Sequence, residues 1–574
     1  MVMSTAARWN ISNRDRAAED VLVRELGIPT LLAAILAQRG YTEPAAAEQF
    51  LNPSLDQLHP ASLLPDYAAA RDAILGARER KELIYVHGDY DVDGVTSAAL
   101  FDRFLRSMGC NVRTHVPHRM KEGYGIHKMA VDAAHQAGAK LFLTCDCGGS
   151  AFEQVEQARE AGMAVVVTDH HSIGAELPNA DAVVNPHRSD SQYPFNDLSG
   201  AGVVFKICDG LSRELGNNPS HYYRAFLDLA ALGTIADVMP LIGENRVIAK
   251  FGLQCLADSK KPGLRALIQA ANITLDPGKP LRASHVGFQL GPRLNAAGRI
   301  DDAAMALNLL LENDPVAAQA IAQRLESVNS ERKAEQQRVT DEAVQMVLES
   351  GSHQRNVIFV AKDGWHAGIV GIVAGRLVEQ FSRPSFVLTI DGRTGTAKGS
   401  ARTIPGFDLA AAIHAFPDLL TGGGHAMAAG CSLRVEDIAI AADALHDYAG
   451  RLLSPEDFVP SIRVDMEVDA SEVDLRAADS LSKLEPFGFA NPEPMFLARG
   501  LTVAQILPTK NPIHVRLTLR SSAGATMPGI AFGIGERLTQ SGAGIGADML
   551  FQANVDEWKG ARTLKWQVRD YAAV

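Results

Sequence analysis

Leu83-Ile84-Tyr85-Val86-His87-Gly88-Asp89-Tyr90-Asp91-Val92-Asp93-Gly94 is the stretch that decides the fold. Its apolar start reads as a buried strand, and the acidic turn leads into a segment with Leu100, Phe104 and Met108 at helical spacing. In extended chain His87, Asp89 and Asp91 project to one side and Gly88 and Tyr90 to the other. Asp89, Asp91 and Asp93 repel one another unless a cation sits among them. The plainer alternative, an acidic turn capping the next helix, needs one Asp and not three.

Working outward, the same grammar repeats. Leu141-Phe142-Leu143-Thr144-Cys145 ends in Asp146, Val165-Val166-Val167-Thr168 ends in Asp169-His170-His171, and Leu232-Gly233-Thr234-Ile235-Ala236 ends in Asp237. Ala182-Val183-Val184 is a further run, and segments 126–138 and 150–161 carry apolar residues at helical spacing. Alternation of fully apolar strands with amphipathic helices argues for a parallel sheet covered on both faces. Ligands of open α/β sheets bind outside the carboxyl ends of the strands, so these clusters are expected to converge on one crevice. A lone Asp at a strand end is usually a helix cap; Asp-His-His after a buried strand is harder to explain that way.

Carboxylates mixed with imidazole suit Mn²⁺, or Mg²⁺ with weaker affinity. Several carboxylates leave room for two ions about 3.5–4 Å apart. Cys145 and Cys147, if in a strand, point away from the side that Asp146 uses, so they read as packing residues and not as zinc ligands.

Hydrophobic residues make up 47% of 574 and charged residues 21%, which allows large packed cores and excludes wholesale disorder. A net charge of −12 makes bulk coating of duplex DNA a poor expectation, although local patches and bound cations can still grip phosphate. Six cysteines are too few for a disulfide scaffold, Met1 to Trp9 does not read as a secretory leader, and no apolar stretch reaches about 18 residues. The expectation is a cytoplasmic protein with no membrane contact. No internal repeat or low-complexity tract is found.

Residues 1 to about 75 read as helical. A long helix is expected over 314–349, with Asp314 as cap and Pro315 at its first position. Its middle, Asn329 to Arg338, is almost entirely polar, as in a strut crossing solvent. Another α/β region follows, from about 355 to 450. Beyond 456, Val515, Leu517 and Leu519, and likewise Leu564, Trp566 and Val568, alternate with polar residues as half-buried antiparallel strands. The last 74 residues hold eight Lys/Arg against five Asp/Glu, a basic end on an acidic chain.

These motifs, with Gly291-Pro292-Arg293-Leu294-Asn295-Ala296-Ala297-Gly298-Arg299, Gly364-Trp365-His366-Ala367-Gly368-Ile369-Val370-Gly371 and Gly422-Gly423-Gly424-His425-Ala426-Met427-Ala428-Ala429-Gly430, resemble the DHH phosphoesterase superfamily. Within it they are most similar to the bacterial single-strand-specific 5′→3′ exonucleases, over nearly the whole chain beyond about residue 50. The resemblance implies an N-terminal helical segment (1–75), a parallel-sheet DHH catalytic domain (76–245) with a helical extension (246–313), and a bridging helix (314–350). A second α/β, DHHA1-type domain (351–455) and a C-terminal OB-like β-barrel (456–574) complete it. It implies metal ligation by His87, Asp89, Asp91, Asp146, His170 and Asp237, with His171 near the scissile phosphate and Asp93 supporting the loop. A metal-dependent exonuclease would release 5′-mononucleotides from single-stranded DNA by two-metal-ion hydrolysis, in repair and recombination. Cys145, where an aliphatic residue is usual, and the turn Phe487-Gly488-Phe489-Ala490-Asn491, less glycine-rich than usual, are the departures.

Consecutive glycines let backbone N–H groups approach an anion, so Gly423 and Gly424 with the imidazole of His425 are candidate phosphate contacts; a tight turn before an Ala-rich helix is the alternative. Ser400 and Arg402 add a hydroxyl and a guanidinium, and the family uses these positions to hold the 5′ end. Arg119, Arg293 and Arg299 are further candidates, since guanidinium binds phosphate bidentately; surface or interdomain ion pairing explains any one of them equally well. Trp558 could stack a base, whereas Trp566, on an apolar face, reads as core. Arg393 to Ser400 fails as a P-loop because the lysine precedes the glycine, and Gly542 to Gly546 reads as a loop, so no nucleotide cofactor is implied. A helicase and a single-strand-binding protein are expected partners of a monomer, by resemblance. Two other readings stay open: an enzyme acting on short oligonucleotides, cyclic dinucleotides or pyrophosphate, and a non-catalytic scaffold of the same fold.

Overall fold

The computed structural model describes residues 7–119, 122–123, 125–558 and 561–574, without the side chain of Trp558. Among the described residues no helix is long and apolar enough to cross a membrane. The chain divides into two compact units. The larger comprises 9–291, 307–315 and 463–574; the smaller holds the described residues before 9, 292–306 and 316–462.

The N-terminal segment opens with a short strand, β1 (Arg8–Ile11), where only helix was expected, and continues through the helices Arg16–Leu26, Thr30–Gln38, Pro44–Leu51 and Tyr67–Glu79. The parallel sheet follows: β2 (Leu83–His87), β3 (Asn111–His115), β4 (Ala139–Thr144), β5 (Ala164–Thr168) and β6 (Ala182–Val184), in the order β3-β2-β4-β5-β6. Val86, Leu143, Val165, Val166 and Val167 are fully buried, each worth roughly 1.5–3 kcal/mol relative to exposure. The edge strand β3, Asn-Val-Arg-Thr-His, buries only Val112 in its span and carries no apolar run to announce it. Strand order reverses direction between β2 and β4, so the crevice of this sheet lies beyond His87 and Thr144.

In the smaller unit a single 35-residue helix, Pro315–Glu349, is about 52 Å long. Its polar middle is not all in solvent, contrary to expectation: Asn329 is fully buried and Arg332 half-buried. The second sheet is mixed. It contains β7 (Ile358–Asp363), β8 (Ser385–Asp391), β9 (Thr396–Arg402), β10 (Thr421–Gly424) and β11 (Ala428–Arg434), ordered β10-β11-β9-β8-β7 with only β7 and β8 parallel.

The C-terminal strands are β12 (Ser461–Val464), β13 (Met466–Glu467), β14 (Phe496–Pro508), β15 (Val515–Arg520), β16 (Thr526–Ala531), β17 (Gly546–Trp558) and β18 (Ala561–Ala573). The last six form a sheet that β14–β17 pairing closes into a barrel. Trp566 is fully buried and stacked on Phe551 at 3.5 Å between centroids, so it is core as expected. Leu32, Leu36 and Phe50 from the first helices share this core with Phe496 and Phe551, which ties the two ends of the larger unit together.

Candidate metal centre

The acidic turn after β2 folds as a helix cap and a cluster at once. Asp91 is extended and its carboxylate accepts the Gly94 N–H at 3.0 Å, starting the helix Val92–Ser107. Asp93 points the other way and accepts the N–H groups of Gly200 (2.6 Å) and Ala201 (3.0 Å) at the start of the helix Gly200–Glu214. That helix begins with glycine for a steric reason: a Cβ at Gly200 would lie 2.6 Å from the Cβ of Asp146.

Asp146 is not in a strand. It follows β4 in the left-handed region, with φ 62°, a conformation that costs a non-glycine residue about 1 kcal/mol or more. The strand argument for the facing of Cys145 and Cys147 therefore fails, although both are fully buried packing residues. Asp237 is also misread by the strand-end pattern. The run before it is the last turn of the helix Pro219–Ala236, and Asp237 is that helix's C-cap. A mostly apolar helix interior and a buried strand look alike over five residues.

Three overlapping groups of ligand atoms lie within 4.8 Å of one another: Asp89, Asp91 and Asp146; Asp146, His170 and His171; and Asp93, His170 and Asp237. His170 Nε2 is 3.0 Å from Asp146 Oδ1, 3.6 Å from Asp237 Oδ2 and 3.7 Å from Asp93 Oδ2. His87 stands outside these groups. Its Nε2 donates to the Gly125 carbonyl at 3.2 Å, which leaves Nδ1 as the acceptor nitrogen. That nitrogen and Asp89 Oδ1 are buried without a hydrogen-bond partner, and Asp146 Oδ1 and His170 Nε2, although 3.0 Å apart, make no hydrogen bond either. Buried polar atoms are rarely left so, and four of them on residues expected to bind metal fit a divalent cation with oxygen and nitrogen ligands.

The electrostatics agree. Burial, and then the neighbouring carboxylates, push Asp89 and Asp146 well above the usual carboxyl range, Asp93 to about 7 and Asp237 to about 8. Burial and the adjacent His171 lower His170 to about 3, and burial beside His115 lowers His87 to about 3. Burial also pulls on His171, but Asp169 outweighs it and raises the imidazole to about 9. Asp169 Oδ1 sits 2.8 Å from His171 Nδ1, and its Oδ2 accepts the Gly149 N–H. Sequence reasoning gave Asp169 no role, yet it fixes the orientation of His171.

The candidate strand contacts are distributed unevenly. Arg119 stacks on Tyr90 of the acidic turn, 4.9 Å from the ring centroid. In the smaller unit Arg293 is buried with its Nε 2.5 Å from Glu326 Oε2, the ion pair that was the alternative reading. Arg299 donates to the Gly368 carbonyl at 3.1 Å. Ser400 and Arg402 share a face of β9: a Cβ at Gly371 would be 3.2 Å from Ser400 Oγ and 3.5 Å from Arg402 Nη2. Gly371 opens the helix Val370–Phe381, so a hydroxyl, a guanidinium and a helix N-terminus meet there, an arrangement suited to phosphate. Its motif was noticed in the sequence without this role.

The glycine triplet differs from expectation in its local structure. Gly422, Gly423 and Gly424 form neither a loop nor a turn before a helix but the edge strand β10, paired with β11. Gly422 and Gly424 have φ 144° and 148°, and a Cβ at Gly422 would fall 2.2 Å from the Gly430 carbonyl oxygen. The His425 N–H closes the hairpin on Ala428 at 2.8 Å. The side chain of Trp558 lies outside the described residues.

Three family models match in chain order: the DHH family N-terminal domain over residues 83–234, the DHHA1 domain over 354–451 and the RecJ OB domain over 464–570. The single-stranded-DNA-specific exonuclease RecJ of Escherichia coli (strain K12) is 33% identical over 97% of this chain and 98% of its own. The protein of the same name from Bacillus subtilis (strain 168) is 35% identical over 100% of this chain and 71% of its own. Among solved structures, RecJ in complex with Mn²⁺ from Thermus thermophilus aligns with a TM-score of 0.83 at 27% identity, covering 98% of this chain and 79% of that one. Identity at this level over nearly the full length of a relative is decisive: the chain belongs to the RecJ family of the DHH superfamily.

Proposed function

We infer that the protein is a metal-dependent exonuclease that degrades single-stranded DNA in repair and recombination, working 5′→3′ and releasing 5′-mononucleotides. The observation that supports this best is the set of four buried ligand atoms without hydrogen bonds on His87, Asp89, Asp146 and His170. These residues with Asp91 and Asp237 would hold Mn²⁺ or Mg²⁺, two ions per site. When bound, the ions neutralise phosphate oxygens and acidify water.

The chain's own groups do the rest. Asp93 holds the start of the helix Gly200–Glu214 against Asp146. Asp169 keeps His171 oriented and protonated, so that it can donate to a phosphate oxygen or to the leaving oxygen. Arg119, Arg293, Arg299, Ser400, Arg402, Gly423, Gly424, His425 and Trp558 are the proposed strand contacts, with Ser400 and Arg402 the best supported as a grip on the 5′ phosphate. In this reading 76–245 and 246–313 cleave, 314–350 bridges, 351–455 grips and 456–574 binds single strand. A helicase and a single-strand-binding protein as partners of a monomer belong to the same reading.

Digestion of 5′- and 3′-labelled single strands with Mn²⁺, Mg²⁺ or chelator tests it. The 5′ label should leave first as mononucleotide and chelator should stop the reaction. Intact strands in Mn²⁺ would sink the activity, and early loss of the 3′ label would reverse the polarity.

A further inference from the structure

Two exposed apolar side chains do not serve the core: Val238, which follows Asp237, and Phe288, on a turn packed against the end of the same helix. The helix Pro219–Ala236 ends in a Schellman motif: the Val238 N–H donates to the Ile235 carbonyl at 3.2 Å and the Met239 N–H to the Thr234 carbonyl at 3.2 Å. The motif places its next residue in the left-handed region, where glycine is the usual choice. Here it is Val238, at φ 59°, a β-branched residue in a conformation that such residues rarely adopt. Its side chain is 64% exposed, so packing does not explain it.

Against the end of the same helix, Val286–Leu290 forms a π-helical turn, a rare element often found at functional sites. Val286 and Leu290 are fully buried, and Gly291 follows, where a Cβ would be 3.5 Å from that of Ala236. The turn is thus seated on the last turn of the helix that carries Asp237. It leaves Gly287 facing open space and Phe288 82% exposed. A strained valine directly after Asp237, and an aromatic ring held out on a turn seated on the same helix end, suit one occupant continuous with the proposed metal site, the bases of the strand whose phosphate would lie there.

We propose that Val238 and Phe288 form an apolar platform on which nucleobases of the single strand rest during cleavage. The proposal builds on the exonuclease reading above. The ring of Phe288 stacks on a base face, an interaction available to every base and so independent of sequence. Val238 supplies a second apolar surface at the edge of the metal cluster.

The test couples protein and substrate changes. Wild type, Phe288→Ala and Phe288→Trp are assayed with Mn²⁺ on a 5′-phosphorylated strand and on the same strand with abasic sites at its four 5′-terminal positions. The KM of wild type should rise on the order of tenfold on the abasic strand. Phe288→Ala should show a raised KM on both strands and little difference between them, and Phe288→Trp should restore the difference. An abasic penalty that persists undiminished in Phe288→Ala overturns the platform. Val238→Gly should melt higher than wild type yet bind single strand more weakly; a higher melting point with unchanged KM overturns the role of Val238. If wild type itself leaves the strands intact, it is the exonuclease reading that fails.

Discussion

The two sheets of this protein hold polar side chains in opposite ways. At the carboxyl ends of the parallel sheet, Asp89, Asp91, Asp93, Asp146 and Asp237 crowd together, and ligand atoms on Asp89, Asp146, His87 and His170 are buried without hydrogen bonds. In the smaller unit the candidate phosphate groups already have company: Arg293 has Glu326, Arg299 has the Gly368 carbonyl, and Arg402 donates to the Ala401 carbonyl at 2.8 Å. The first arrangement is incomplete without a cation. The second is already satisfied, and in the proposed reading it would exchange partners to bind an anion. Chemistry and grip should therefore respond differently to mutation, to pH and to metal.

The largest contrast is between a cluster acid and a gripping base. Asp146→Ala should lower kcat at saturating Mn²⁺ by at least about a hundredfold, since even second-sphere partners at metal sites are worth 10–100-fold. Arg402→Lys keeps charge but loses the bidentate fork, so it should raise KM about tenfold with a smaller change in kcat. Equal losses in kcat for both variants would erase the distinction.

Gly422→Ala probes the smaller unit's sheet. The added methyl would meet the Gly430 carbonyl oxygen at 2.2 Å on a backbone with φ 144°. Overpacking of this kind costs about 1–3 kcal/mol, so the thermal transition of that unit should fall while Mn²⁺ binding by the acidic cluster is kept. Loss of Mn²⁺ binding in this variant would show that the two regions are not separable in this way.

The smallest effect is in pH. Asp93 and Asp237 carry folded-state values of about 7 and about 8, raised by burial and then by neighbouring carboxylates, against roughly 4 in an unfolded chain. The metal-free native state therefore binds more protons than the unfolded one, and its stability falls as pH rises from about 4 through 8. A bound cation replaces those protons. The gap in melting temperature between Mn²⁺-loaded and chelated protein should widen from pH 6 to 8.5; a constant gap would contradict the assigned electrostatics.

Much of this was legible before any coordinates. Fully apolar runs such as Val165-Val166-Val167 announce buried parallel strands, and an acid at the end of each marks the crevice. Where the reading failed, the physics was local ambiguity or long-range context. Five residues before Asp237 cannot tell a buried strand from a helix end. Asp146 has a left-handed backbone and packs against Gly200, more than fifty residues away, and periodicity shows neither. Edge strand β3 buries too little to leave a pattern, and a glycine triplet has no side chains to separate an anion loop from a ladder. Asn329 was read as solvent-facing because its neighbours are polar, yet it is fully buried.

The central claim is that acids and imidazoles drawn from four separate segments form one divalent-cation site. Diffraction from Mn²⁺-soaked crystals at the manganese absorption edge tests it most directly. The account predicts two anomalous peaks about 3.5–4 Å apart, enclosed by Asp89, Asp91, Asp146, His170 and Asp237. Manganese bound elsewhere, with no peak among these side chains, would contradict it.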